Sequence, residues 1–332
     1  MDPALPAALR AAIDLALEGR GRGGLAQRAG AISEGYRRGK ASSALVRDGS
    51  DALAYALTRT PATYAATRRA LEELRVLRPD FAPSALLDAG AGPGGGGWAA
   101  VDALPSLETC MRLDHSPAFL DLAGALAADG PMVLAGAGRM QADLADPGLA
   151  APEADLVLAA YALTEIDPQR LAGVVERLWG ATRGVLLVVE PGTPEGWRRG
   201  LAVRARLLEA GARLIGPCPH AGPCGLAAPD WCHFVQRLPR SRDHRRAKGG
   251  EAPFEDEKFF WLAAERPSRP EPDAAFDRII APPRTGKAGV RLRVCRGDGG
   301  IEDVEVLRRD RAAFARARRL DWGDALFPPE DQ

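Results

Sequence analysis

The chain has no excess of charge of either sign: Lys and Arg together number 44, and so do Asp and Glu. A uniformly basic body that would coat nucleic acid is therefore excluded, and any polyanion contact must come from local clusters. Apolar runs are short. None approaches the roughly 18 apolar residues of a membrane-spanning helix, and the opening M-D-P-A-L-P-A-A-L-R lacks the basic start and apolar stretch of a secretory signal. The sequence accordingly predicts a soluble, cytoplasmic protein with no membrane contact. Only five cysteines occur in 332 residues, too few for a disulfide scaffold, so their spacing matters more than their number. There is no internal repeat and no low-complexity tail. What is present is 46% hydrophobic content, enough to bury the core of one large α/β domain with appendages.

The most informative stretch is residues 84–99, S-A-L-L-D-A-G-A-G-P-G-G-G-G-W-A. An apolar run at 85–87 reads as a buried strand closed by Asp88; Gly90, Gly92 and Gly94 follow at every second position, and a helix begins near Trp98. Such a turn needs positive φ and lets a ligand approach bare backbone N–H groups at a helix start. Gly90, Gly92 and Gly95 also satisfy Gly-x-Gly-x-x-Gly, so a nicotinamide or flavin site competes. Asp88 and Pro93 tilt the choice toward a different cofactor, because the stretch resembles the first motif of the class I S-adenosylmethionine methyltransferases, D/E-x-G-x-G-x-G. That resemblance implies a cofactor site on Asp88, Gly90, Gly92 and Gly94, with the methionine part lying over the glycines.

Residues 1–80 read as helices. Residues 19–24 form a basic, flexible turn between them, and Thr60 and Pro61 are placed to cap and open a new helix through Tyr64. Tyr64 is most simply a core contact, with a minority reading in which Arg59 and Tyr64 reach over the cofactor or an RNA. After the glycines, a second strand over 109–113 ends at Asp114, about twenty residues on, where an acid can accept from both hydroxyls of a ribose. A solvated acid beside a helix start is the plainer role for it. Residues 132–134 are expected to be a third strand, and Asp143 stands where related enzymes hold an adenine amino group. Continuous apolar runs over 155–161 and 184–189 predict fourth and fifth strands of a parallel sheet covered on both faces. Ligands in such sheets sit beyond the strands' carboxyl ends, so Tyr161, Glu165, Glu190 and Gly192 are expected at the same crevice as the glycines. The stretch after the fourth strand, A-A-Y-A-L-T-E-I, contains no Asn/Asp-Pro-Pro-aromatic motif, and no catalytic residue is identified. Cys110 reads as a small buried side chain.

Beyond the helix expected at 195–210 the composition changes. Cys218, Cys224 and Cys232 fall in one Pro/Gly-rich loop, residues 216–234, where scattered structural cysteines do not normally gather. A four-iron, four-sulfur cluster asks for a fourth thiolate, and Cys295 in V-C-R-G is the remaining candidate. Zinc held with His220 or His233 is the alternative. A basic run over 237–248 contains Arg240, Arg242, Arg245 and Arg246, a strand follows at 258–265, and two alternating strands at 290–294 and 301–307 carry Lys287 and Arg291 beside a Gly-Asp-Gly-Gly turn. Charge runs are usually solvated loops; bracing by the cysteine loop argues for an RNA-binding surface made of both segments.

Together, R-T-P-A-T-Y, D-A-G-A-G-P-G, the C-P-H and W-C-H-F pieces and V-C-R-G resemble the small-ribosomal-subunit methyltransferase-like family, across most of residues 50–300. The resemblance implies a class I methyltransferase (Rossmann-like), doubly wound α/β sheet with N-terminal helices (1–80), an α/β core (81–266) and a small basic β extension (267–332). It further implies an iron–sulfur cluster on Cys218, Cys224, Cys232 and Cys295, binding of the small ribosomal subunit or its rRNA, and a chain that is monomeric off the ribosome. Three functions follow. The first is an RNA-binding ribosome factor with an S-adenosylmethionine site. The second is an active rRNA methyltransferase, and the third a small-molecule methyltransferase with structural zinc.

Overall fold

The computed structural model describes residues 3–38, 42–267 and 275–328. Four helices come first, α1 (Ala7–Leu17), α2 (Arg22–Arg37), α3 (Ser42–Leu45) and α4 (Gly49–Leu77). Strands and helices then alternate: β1 (Ala85–Ala89), α5 (Gly95–Ala103), β2 (Thr109–Asp114), α6 (Pro117–Ala127), α7 (Met132–Ala135), β3 (Gly138–Gln141), β4 (Ala154–Ala160), α8 (Pro168–Ala181), β5 (Thr182–Pro191) and α9 (Pro194–Glu209). The first sheet is completed by β6 (Arg213–Gly216), β7 (Phe234–Pro239) and, after α10 (Arg242–Lys248), β8 (Phe254–Glu265). A second sheet follows, from β9 (Asp277–Ile279), β10 (Arg284–Thr285), β11 (Gly289–Cys295) and β12 (Ile301–Leu307), with α11 (Arg311–Ala317) before β13 (Ala325–Leu326).

The eight strands of the first sheet run in the order β3-β2-β1-β4-β5-β8-β6, with β7 also paired to β8. Pairing among β1 to β5 is parallel and β8 runs antiparallel to its neighbours. This is the doubly wound α/β sheet that the resemblance to class I methyltransferases implies. Alternate residues of one strand feed opposite faces, as the period of a strand requires. Leu86, Leu156, Leu158, Leu187 and Trp261 meet α4 and α5 on one side, whereas Leu87, Val157, Leu186, Val188 and Leu262 meet α8 and α9 on the other. Both faces are dry, which is why β4 and β5 read as unbroken apolar runs. Among the described residues no helix is long and apolar enough to cross a membrane.

Three local expectations are corrected. Thr60 does not start a helix: α4 runs 29 residues with Pro61 inside it, capped at its start by Asp48, which accepts from the backbone N–H of Ser50 and Asp51. A proline inside a helix costs about 3 kcal/mol, but α4 buries Leu53, Leu57, Leu71 and Leu74, each contributing roughly 1.5–3 kcal/mol. Residues 132–134 form the short helix α7 because Pro131 and Gly136 bound it and Met132 stays 89% exposed. The third strand is the polar edge segment Gly138–Gln141, placed by its pairing with β2 rather than by apolar content. Finally, the turn after Gly19 is shorter than expected, with α2 beginning at Arg22.

In the second sheet β11 and β12 form the expected antiparallel pair, from Gly289 opposite Leu307 to Cys295 opposite Ile301. Its core is small, built on Ile279, Val290, Leu292, Val294 and Ala317. Arg278 of β9 ties this sheet to the rest. Its guanidinium donates to Glu73 of α4 and to the carbonyl oxygens of Pro217 and Gly323.

Candidate cofactor crevice and cysteine cavity

Strand order reverses between β1 and β4, and a crevice opens beyond their carboxyl ends, as at any such switch point. Its volume is about 340 Å³ and its lining includes Gly90, Gly92, Asp114, Asp143 and Tyr161. Gly90 has φ +74° and donates to the Leu113 carbonyl; a Cβ there would lie 2.5 Å from that of Ala162. Gly92, at φ +52°, has open space on its side-chain face. Its N–H donates to Asp114 Oδ2 at 2.8 Å, while Asp114 Oδ1 accepts from Ser116 N–H. Burial pushes the Asp114 carboxyl above its ordinary value, against the hold of those hydrogen bonds. Asp143 turns back on its own loop to accept from Ala145 N–H.

Two expected residues lie beneath the turn rather than in the crevice. Asp88 is 2% exposed and accepts from Gly97 N–H at 2.9 Å, an acid capping the first turn of α5; burial pushes its carboxyl up to about 7. Gly94, at φ +92°, is the residue that starts α5. Glu190 is likewise fully buried, accepting from Leu163 N–H, and burial raises it to about 8. Gly192 sits against β8, where a Cβ would meet the Phe259 nitrogen at 2.6 Å. The crevice instead gains Ser42, Tyr55, Phe119 and Arg170. Ser42 donates from both backbone and hydroxyl to Glu165. No sequence motif marks these residues, since α3 and α4 reach the crevice only through folding.

Tyr161 follows the last residue of β4 with φ +59°, a conformation that a bulky residue adopts only under constraint. Its backbone N–H donates to Val189 O and its phenol to Glu257 Oε1 at 2.9 Å. Arg59 completes the group, 3.3 Å from Glu257 and 5.7 Å from the Tyr161 ring centre. Burial together with the Glu257 carboxylate keeps the phenol protonated. Tyr64 points elsewhere, to Asp102.

Cys218, Cys224, Cys232 and Cys295 line one cavity, although Cys295 comes from β11. All four are free thiols; burial pushes Cys295 up to about 12 and Cys232 well above its ordinary value. His220 Nε2 lies 3.6 Å from Cys295 Sγ. His233 is engaged elsewhere, stacked on Trp231 with its Nδ1 at 3.2 Å from the Trp231 carbonyl oxygen. Among the described residues no three or more His, Cys, Asp or Glu side chains stand in metal-holding geometry. The expected metal loop is thus a thiol-lined cavity and not a formed coordination site; such sites are commonly drawn together by the metal itself. Cys110 is separate and buried on β2.

The basic segments prove unequal. Arg240 gives a forked pair to Glu255 and is only 17% exposed, Lys248 shares that carboxylate, and Arg246 stands 4.0 Å from Asp243. Arg242 and Arg246 are exposed, and Arg245 is half-buried. Lys287 and Arg291 are exposed on the second sheet. The sequence marks Arg316, Arg318 and Arg319 as a basic helix end, and the structure extends this group to Arg308, Arg309 and Arg311: all six are exposed and none pairs with a described carboxylate. Asp310 is used as the cap of α11. Arg308 donates to Gly286 O, beside Lys287, and Arg308 and Arg318 both lie against the Phe314 ring.

The human mitochondrial ribosome assembly protein METTL17 is 29% identical over 83% of this chain and 64% of its own length. Rsm22-cox11 tandem protein 2 of Schizosaccharomyces pombe, also mitochondrial, is 25% identical over 84% of this chain and 43% of its own. The chain therefore spans between two fifths and two thirds of these relatives. Their mitochondrial residence overturns the cytoplasmic location expected from the sequence: that expectation rested on the lack of a secretory signal and of a membrane-length apolar run, and neither bears on a mitochondrial address. Among solved structures, magnesium protoporphyrin IX methyltransferase of Synechocystis is 14% identical, at TM-score 0.40 over 67% of this chain and 85% of that one. The N-methyltransferase NodS of Bradyrhizobium japonicum is also 14% identical, at TM-score 0.40 over 60% and 86%. A family match extends over residues 49–327, and the chain belongs to the family described as mitochondrial small ribosomal subunit Rsm22.

Proposed function

We propose that the chain is an RNA-binding factor in assembly of the small ribosomal subunit, that it keeps an S-adenosylmethionine site for binding, and that its four-cysteine cavity holds an iron–sulfur cluster. The observation that carries the binding reading is the closed group at the end of β4. The Tyr161 phenol donates to Glu257, Arg59 pairs with the same carboxylate and lies over the Tyr161 ring, and Tyr161 lines the crevice. The Glu257 carboxylate and the Tyr161 phenol are committed to each other and to Arg59, so a general base at this point would first have to exchange these bonds.

The crevice fits the nucleoside cofactor on its own chemistry. Its volume of about 340 Å³ falls within the range of small-molecule sites. Gly92 presents bare, open backbone, over which the methionine part would lie, and Asp114 keeps lone pairs for ribose hydroxyls beyond the two backbone bonds it accepts. Bound there, the cofactor would supply an electrophilic methyl group. The residues named bind and orient it.

The cysteine cavity fits a thiolate-held centre in its donor set: Cys218, Cys224, Cys232 and Cys295 converge there, and His220 adds a ring nitrogen, Nδ1, that has no partner. Four thiolates suit an iron–sulfur cluster; zinc with His220 is the competitor. RNA contact rests on the exposed arginines of 308–319 with Lys287 and Arg291, while Arg240 is largely buried and engaged with Glu255. Phosphate contacts release counterions, so affinity should fall steeply with salt. The test compares small-subunit particles with an unrelated RNA across a salt series, using wild type and an Arg309/Arg311/Arg318/Arg319→Ala variant. Tighter binding to the particles and a flatter slope in the variant are expected. Equal affinity for both RNAs would refute a ribosomal role, and methylated RNA product would refute the reading as a binding site alone.

A further inference from the structure

Arg204 is a buried cation without a carboxylate. It stands on α9 at 6% exposure, and among the described residues no Asp or Glu lies within ion-pair distance of it. Its Nη2 donates to the carbonyl oxygens of His220 at 2.8 Å and Gly222 at 2.7 Å, both in the loop between Cys218 and Cys224, and its Nε has no acceptor. Arg278 is a second buried cation, 1% exposed, on β9 opposite Cys295 in the strand register and lining the four-cysteine cavity. Among the described residues its carboxylate partner is Glu73, which also meets Arg69, itself paired with Asp324, and its Nη2 has no acceptor there. A charge removed from water without a partner is strongly unfavourable, and proteins keep such charges only where an opposite one is supplied. Of the acidic groups around the cavity, Asp277 pairs with Arg296 and Asp298 accepts from Gly300 N–H, which leaves the thiols, Cys218 and Cys295 among them within electrostatic reach of Arg204.

We propose that Arg204, seconded by Arg278, is the counter-charge of an anionic centre held by Cys218, Cys224, Cys232 and Cys295. The proposal rests on the reading of that cavity as a thiolate-held site. Four thiolates around a zinc ion or a four-iron, four-sulfur cluster in its usual oxidised state carry a net charge of about −2, with the thiol protons released to solvent on binding. Arg204, which has no described carboxylate, opposes that charge in full, and Arg278, already paired with Glu73, adds to it in sign. The bonds from Arg204 to the loop carbonyls also fix the span between Cys218 and Cys224, so charge and geometry are supplied by one side chain. Without the centre, the same side chain is an uncompensated buried charge.

The test uses the full chain, prepared anaerobically from cells competent in cluster assembly, as wild type, Arg204→Met and Arg204→Lys. Iron, sulfide and zinc per chain are measured against a chelator series, together with melting of the loaded and chelated forms. Arg204→Met should hold the centre roughly 10–100-fold more weakly, yet its metal-free form should melt at or above metal-free wild type, since an unpaired buried charge has been replaced by an apolar chain of similar size. Arg204→Lys should keep most of the loading. If the centre is an iron–sulfur cluster, its midpoint potential should move negative in Arg204→Met, because reduction adds negative charge; zinc without sulfide supports the same counter-charge role through loading and melting. Equal loss of melting temperature in loaded and metal-free Arg204→Met would overturn the proposal and leave Arg204 a tie between loop carbonyls. Wild type that takes up neither metal nor sulfide refutes the thiolate-site reading itself, a result visible before any variant is compared.

Discussion

Asp88 is the residue whose role differs most between sequence and structure, and its replacement by Asn separates the two. In the fold its carboxyl is 2% exposed, accepts from Gly97 N–H, and is pushed by burial from an ordinary 3.8 up to about 7. The folded chain keeps the proton up to about pH 7, whereas the unfolded chain releases it near 3.8. The folded state therefore binds more protons within that window, so stability falls as pH rises through it. At about 1.36 kcal/mol per pH unit the loss sums to roughly 4 kcal/mol by pH 8. Asn is neutral throughout and keeps an oxygen for Gly97. Asp88→Asn should thus match wild type near pH 4 and exceed it increasingly toward pH 8. Urea midpoints of both proteins at several pH values measure this, and taking their difference cancels Glu190 and other groups that titrate in the same range. Affinity for S-adenosylhomocysteine should be unchanged, because Asp88 does not line the crevice. Parallel stability curves, or a variant weaker at pH 8, would refute the reasoning and make Asp88 an ionised partner of Arg112, which stands opposite it in the β1–β2 register.

Gly92→Arg should abolish binding of S-adenosylmethionine by calorimetry while far-ultraviolet circular dichroism is retained, since open space faces its side-chain position and positive φ costs an ordinary residue only about 1–2 kcal/mol. Pro61→Ala should raise stability by up to about 3 kcal/mol in urea, by restoring an N–H inside α4.

Much of the fold was legible in local sequence. The apolar runs of β4 and β5, the alternation in β11 and β12, and the glycine turn after β1 are dictated by neighbours in the chain. Those local preferences agree with the tertiary structure at each of these elements. The reading failed where a distant contact outweighed a local signal. Pro61 breaks helices in isolation, but the leucines on either side of it are buried against the sheet. Residues 132–134 look like a strand, but the pairing edge of β2 is taken by the polar segment Gly138–Gln141.

The sequence by itself determined the class of fold, the strand–glycine–helix unit and the set of cysteines, because each is a property of residue type at short spacing. Only the tertiary structure decided which of these residues do what. Asp88 and Gly94 share a motif with Gly92, yet the backbone turns them inward to start α5 and leaves Gly92 open. Arg240 and Arg309 are equally basic in sequence, and one is neutralised by a carboxylate that pairing of β7 with β8 brings beside it. Cys295 reaches the other three cysteines across more than sixty residues of chain because β9 aligns it with Arg278. Partnership between charges depends on distance and burial, and neither is a property of residues read in a line.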